Sequence, residues 1–156
     1  MKAESRKQKA EMGARRLTWR SAAFLLSAFC FLLCSCRTVG VSRTAGGYAE
    51  VEPPVAAEMI LDSPQLVVLD VRSSDEYRGP AGHIAGSLSA PFDSIERHLP
   101  ELLPYQNETV IVYGDTATDG AVAAKLLTVA GFHNVVNIAG GLQGWIEHGY
   151  HTVNSQ

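Results

Sequence analysis

The stretch TVIVYGDTATDGAVAAKLLTVAGFHNVVNI, residues 109–138, decides the fold. Thr109–Tyr113 is a β-branched, apolar run of strand length. Ala121–Ala130 is alanine-rich and reads as a helix, with Asp119 as its N-cap and Gly131 at the C′ position. Val135–Ile138 is a second strand. Strand, helix and strand with short connections form a crossover unit, which belongs to a parallel sheet.

The pattern continues outward in both directions. Leu66–Val71 is apolar except for Asp70, as expected of a parallel strand covered on both faces. Tyr48–Glu52 and Ser87–Ala90 are shorter strand candidates. Pro53-Pro54 opens a helix with Val55, Met59 and Ile60 on its apolar side, and Ser63-Pro64 stops it. Ser73 and Glu76 have capping-box spacing, and so do Asp93 and Glu96. Phe92, Ile95, Leu99 and Leu102 recur at helical spacing up to Pro104, and Leu142–His148 is a last helix. The expected fold is α/β: three layers, α/β/α, around a central five-stranded parallel sheet. Such folds place ligands outside the carboxyl ends of the strands, which directs attention to Asp70 and Arg72 and to the loop after Tyr113.

With 46% hydrophobic and 19% charged residues, the 156-residue chain suits one folded domain rather than a disordered polymer. The net charge of −3 hides two opposed segments. Residues 1–35 carry seven Lys/Arg against two acids, a net +5, whereas residues 36–156 carry six against fourteen, a net −8. An acidic domain lacks the basic footprint that nucleic acid requires, so no nucleic-acid partner is expected. Cys30, Cys34 and Cys36 are the chain's cysteines, so the domain after them has neither a disulfide framework nor a Cys-based zinc site.

The basic stretch ends at Arg20, and the uncharged residues 21–36 have their apolar heart at Ala22–Leu33. That is short for a spanning helix and reads as a secretory signal, with Met12 a second possible start. Leu33-Cys34-Ser35-Cys36 resembles a bacterial lipobox, with an unusual cysteine at −2. The resemblance implies cleavage before Cys36 and acylation of Cys36 on its sulfur and new amine, giving a stable membrane anchor. The expected organisation is a lipoprotein signal peptide over 1–35, lipidated Cys36 and a flexible tether over 36–47, and a domain over 48–152. A flexible eleven-residue tether, Arg37–Gly47, reaches ~18 Å.

Three stretches of the domain, taken together, resemble the rhodanese-like (sulfurtransferase) family. They are Val68-Leu69-Asp70-Val71-Arg72 with Glu76-Tyr77; Gly82-His83-Ile84-Ala85-Gly86-Ser87 with Pro91; and Gly140-Gly141-Leu142-Gln143-Gly144-Trp145 with Gly149-Tyr150. Ala85 and His151 stand where the family often has proline. In active members, the strand resembling Thr109–Tyr113 is followed by a catalytic cysteine. A loop after it points backbone N–H groups at the sulfur, and a helix N-terminus adds positive potential. The corresponding residue here is Gly114, and the active-loop equivalent is Gly114, Asp115, Thr116, Ala117, Thr118 and Asp119. Glycine can neither attack thiosulfate nor carry a persulfide. Asp115 and Asp119 add negative charge where relatives often carry cations, which disfavours anionic substrates.

The remaining candidates are weak. The run from Asp115 to Gly120 is a poor calcium loop, because Ala117 and Leu126 stand where oxygen ligands belong. Thr116 and Thr118 have no evident base to activate them. His148 and His151 have metal-like spacing but straddle a Gly-Tyr turn, so no metal and no cofactor are expected. His83 reads as structural, Trp145 as core, and Asp70 with Arg72 as an internal ion pair. The sequence thus points to a catalytically inactive, membrane-anchored binding module of the bacterial cell envelope. It would lie on the periplasmic side or the cell surface, with a protein partner. Two alternatives are an enzyme using the same cleft through its acids and a sulfurtransfer accessory that works with a partner's cysteine.

Overall fold

Each of the five expected strands is present, and a sixth joins them. The computed structural model describes residues 41–154; the signal segment 1–35 and Cys36 lie outside the described residues. The strands are β1 (Val41–Arg43), β2 (Ala49–Val51), β3 (Val67–Asp70), β4 (Leu88–Ser89), β5 (Thr109–Tyr113) and β6 (Asn134–Ile138). The helices are α1 (Pro53–Asp62), α2 (Ser74–Tyr77), α3 (Ile95–Leu102), α4 (Ala117–Val129) and α5 (Gly141–Glu147), with 3₁₀ turns at Phe92–Ser94 and Leu103–Tyr105. The sheet order is β1-β2-β6-β5-β3-β4. All neighbouring pairs are parallel except β1 with β2.

Alternation along the strands explains their continuous apolar runs. Val67, Leu69, Val110, Val112 and Val135 face one way and pack with Ile95 and Leu102 of α3 and with Ala123, Ala124 and Leu127 of α4. Val68, Ile111, Tyr113, Val136 and Ile138 face the other way, toward Ala56 and Ala57 of α1 and Leu142 and Trp145 of α5. Both faces are therefore covered, and each of these larger apolar side chains contributes roughly 1.5–3 kcal/mol through burial. Trp145 is core, as expected: its ring packs 4.6 Å from that of Tyr150, and its Nε1–H donates to the His151 carbonyl at 3.2 Å.

The sheet corrects the expectation of five parallel strands: it has six, and the extra one is antiparallel. The extra strand comes from the stretch read as a tether. From Val41 onward that stretch is ordered, because Thr44–Gly47 form a turn that folds Val41–Arg43 back onto β2. The Thr44 amide and hydroxyl both donate to the Tyr48 carbonyl, at 3.0 and 2.8 Å. All three β1 side chains are exposed, so no apolar pattern marked the strand.

Two helix starts also differ. Helix α4 begins at Ala117 rather than Ala121, with Thr116 as the N-cap residue and Asp119 inside the first turn. Asp93 is no cap either, since it sits within the 3₁₀ turn before α3. The Ser73–Glu76 capping box is present in full, and Gly131 (φ +95°) closes α4 in the left-handed conformation that a C′ residue needs.

Candidate functional site

At the carboxyl ends of β3 and β5 lies a cleft of about 520 Å³. Its walls bring together Arg72, Ser73 and Glu76 after β3, Pro91, Phe92 and Asp93 after β4, and Asp115, Asp119 and Val122 around the start of α4. A shallower hollow on its flank, lined by Gly79, Pro80 and Ala81, shares Arg72, Glu76 and Asp115. The cleft therefore unites Asp115 and Asp119 with Arg72, as the sequence suggested. The Phe92–Asp93 wall was not anticipated. It follows from the rule that directed attention to Arg72, because β4 also ends there.

Asp70 is fully buried and does not face the cleft as a free acid. It binds Arg72 through a two-pronged contact: Nη2 to Oδ2 at 2.6 Å and Nε to Oδ1 at 3.0 Å. The Arg72 backbone N–H also donates to Asp70 Oδ1 at 3.0 Å, and Nη2 donates to the Gly82 carbonyl at 2.7 Å. Burial works against the Arg72 charge, but the hydrogen bond and negative charge of Asp70 outweigh it, and its pKa lies above the usual value. Arg72 therefore lines the cleft as half of a neutralised pair.

Behind this pair, burial and the nearby charge of Asp70 raise the Tyr113 phenol well above its ordinary pKa. Its oxygen accepts the Ile84 N–H at 3.0 Å and lies 3.0 Å from the Ser87 hydroxyl. His83 is structural: its ring stacks on Tyr77 at 3.8 Å, and its Nδ1 lies 3.1 Å from the Tyr77 carbonyl.

Gly114, directly after β5, is buried. A Cβ placed on it would lie 2.6 Å from Asp119 Cβ, closer than real contacts come, and 3.0 Å from the Gly120 nitrogen, a tight contact. The first turn of α4 thus sits directly on Gly114. From the other side, Leu142 N–H donates to the Gly114 carbonyl at 2.9 Å, and Gln143 N–H to that of Asp115 at 3.3 Å. The consecutive left-handed residues Gly140 (φ +75°) and Gly141 (φ +59°) make this approach possible, since a Cβ on Gly141 would strike the Gly114 carbonyl at 2.6 Å. Asp115, Thr116 and Asp119 are solvent-exposed, and the Thr116 hydroxyl donates to Asp119 Oδ2 at 3.1 Å.

The rhodanese-like domain family matches residues 52–148. This chain belongs to that family. The uncharacterised protein YibN of Escherichia coli K12 is 32% identical over 90 residues, 57% of this chain and 62% of YibN. The chain thus spans about three fifths of that relative's length. The thiosulfate sulfurtransferase PspE of E. coli is 29% identical over 75 residues, 48% of this chain and 69% of PspE. Among solved structures, the rhodanese-like domain of Alr3790 from Anabaena superposes with a TM-score of 0.61 at 28% identity, covering 68% of this chain and 79% of that one. The α/β fold with its mostly parallel sheet is therefore the rhodanese-like fold.

Proposed function

We propose that this chain is a membrane-anchored rhodanese-like domain that binds a partner in the cell envelope and does not itself transfer sulfur. Gly114 carries this reading. It occupies the loop position where active relatives place their cysteine, the space a side chain would need is closed by Asp119, and no thiol follows Cys36 in the sequence. Two further features support it. The cationic residue that lines the cleft with the loop, Arg72, is neutralised by Asp70, and the loop's own charges, Asp115 and Asp119, repel anionic sulfur donors.

The test is turnover of thiosulfate and cyanide by the purified mature chain, with PspE measured alongside. The expected result is no thiocyanate above background; a rate comparable to that of PspE would refute the proposal. Anchoring has its own measurement, mass spectrometry of protein extracted from membranes. It should give an acylated Cys36 as the N-terminal residue, and an intact Met1 or Met12 terminus would exclude cleavage.

A further inference from the structure

The register of the sheet fixes where the chain enters the domain. Strand β1 runs against its neighbours, so its first residue, Val41, pairs with Val51, the last residue of β2. Val51 in turn pairs with Ile138, the last residue of β6. Because Val112 stands against Asn137, Tyr113 falls level with Ile138, and Tyr113 pairs with Asp70. Val41 therefore lies at the carboxyl end of the parallel strands, the end that carries the cleft. A strand running parallel to β2 would have begun at the opposite end.

Arg37–Gly40 alone separate Val41 from Cys36. Those five Cα–Cα steps span at most ~18 Å when fully extended. Strands β1 and β5 are three strand spacings apart, roughly 14 Å in all. An anchor at Cys36 can therefore lie no farther than ~18 Å from Val41, at the cleft end of the sheet.

The cleft's chemistry selects what it can meet there. Glu76, Asp93, Asp115 and Asp119 line it, and Arg72 is neutralised by Asp70. Phe92 and Val122 line the same cleft at 39% and 48% exposure, beside Pro91. Among the described residues, no three potential ligands converge as a metal site. Carboxylates repel anionic lipid headgroups, whereas a chain alternating cationic and apolar side chains satisfies both the acids and the exposed apolar surface. We infer that the cleft faces the membrane bearing the anchor and receives a Lys/Arg-bearing, partly apolar segment of a partner protein held in that same membrane. This rests on the anchored-module reading above and adds the orientation of the domain and the chemistry of its partner.

The test uses the full lipidated protein in phosphatidylcholine vesicles. Nitroxides are attached to single cysteines replacing Ala81, exposed beside the cleft, or Asn107, exposed before β5 at the opposite end. A lipid-borne nickel chelate should relax the label at position 81 at least twofold more than that at 107. Equal or reversed relaxation overturns the orientation. In the same vesicles, a twelve-residue peptide alternating Lys with Val and Ser should bind, and its Glu counterpart should not. The combined substitution Asp93→Asn, Asp115→Asn and Asp119→Asn should weaken binding at least tenfold, with circular dichroism confirming the fold. Phe92→Ala should weaken it independently.

Equal binding of both peptides, or no effect of these substitutions, removes the basic occupant while leaving the binding-module reading in place. Thiosulfate turnover by the same preparation removes the module reading itself. An unacylated Cys36 removes the anchor and the orientation together.

Discussion

A methyl group at position 114 has nowhere to go, because Asp119 Cβ and the Gly120 nitrogen already occupy its space. A cysteine introduced there therefore meets the same obstruction. Gly114→Cys should yield no measurable thiocyanate, and it should lower stability by ~1–3 kcal/mol, the usual cost of forcing volume into a packed region. Denaturant unfolding of Gly114→Cys and Gly114→Ala together checks this, since both place a Cβ at the same point. A stable, active Gly114→Cys protein would show that α4 withdraws readily. The glycine was legible in the sequence, but the closure over it was not, because it depends on where α4 begins. Asp119 looked like a cap, yet the helix starts at Ala117, which swings Asp119 over Gly114. Asp70 and Arg72 make the opposite case. Two residues apart at a strand end, they read as an internal pair, and the structure shows that pair. Asp70→Asn leaves a buried guanidinium without its counter-charge and should cost about 3–5 kcal/mol, read as a lowered denaturation midpoint.

At the scale of elements, α2 is a single turn with no buried residue of its own, so its caps matter more than its packing. Ser73 Oγ accepts the Glu76 N–H, and the Glu76 carboxylate accepts from the Ser73 N–H at 2.9 Å. Ser73→Ala should cost ~1 kcal/mol of stability, measured by urea unfolding. The hydroxyl and backbone N–H of Ser73 hold the Glu76 pKa below the ordinary glutamate value. A depressed folded-state pKa stabilises above the unfolded value and is lost as pH falls through the folded one. The Glu76→Gln protein should therefore differ from the parent at neutral pH and converge with it below the glutamate range, with a small amplitude because the group is exposed. This box was readable because its spacing is local. Strand β1 was not, because Val41–Arg43 has no buried face and pairs through its backbone with β2 at the sheet edge. Its amides should exchange with deuterium faster than those of β5, which lies between two strands and under two helical layers.

For the molecule as a whole, the charge imbalance matters more than any one ion pair. Residues 36–156 carry fourteen acids and six Lys/Arg. Among the described residues the close ion pairs are Asp70–Arg72, which is buried, and His98–Glu101, which requires a protonated histidine. Surface acids with few close cationic partners repel one another, and their repulsion opposes the compact state. Salt shortens the range of that repulsion from ~30 Å at 0.01 M to ~8 Å at 0.15 M. It barely affects the Asp70–Arg72 pair, whose side chains are almost completely buried. The domain should therefore become more stable as salt rises, with Tm at pH 7 increasing by a few degrees between 0.01 and 0.3 M sodium chloride. Calorimetry measures this directly. Potassium chloride should act like sodium chloride, because screening depends on ionic strength and not on a specific site. A Tm that falls with salt would mean that attraction among surface charges dominates, and the acidic cleft would then already be compensated from within the chain.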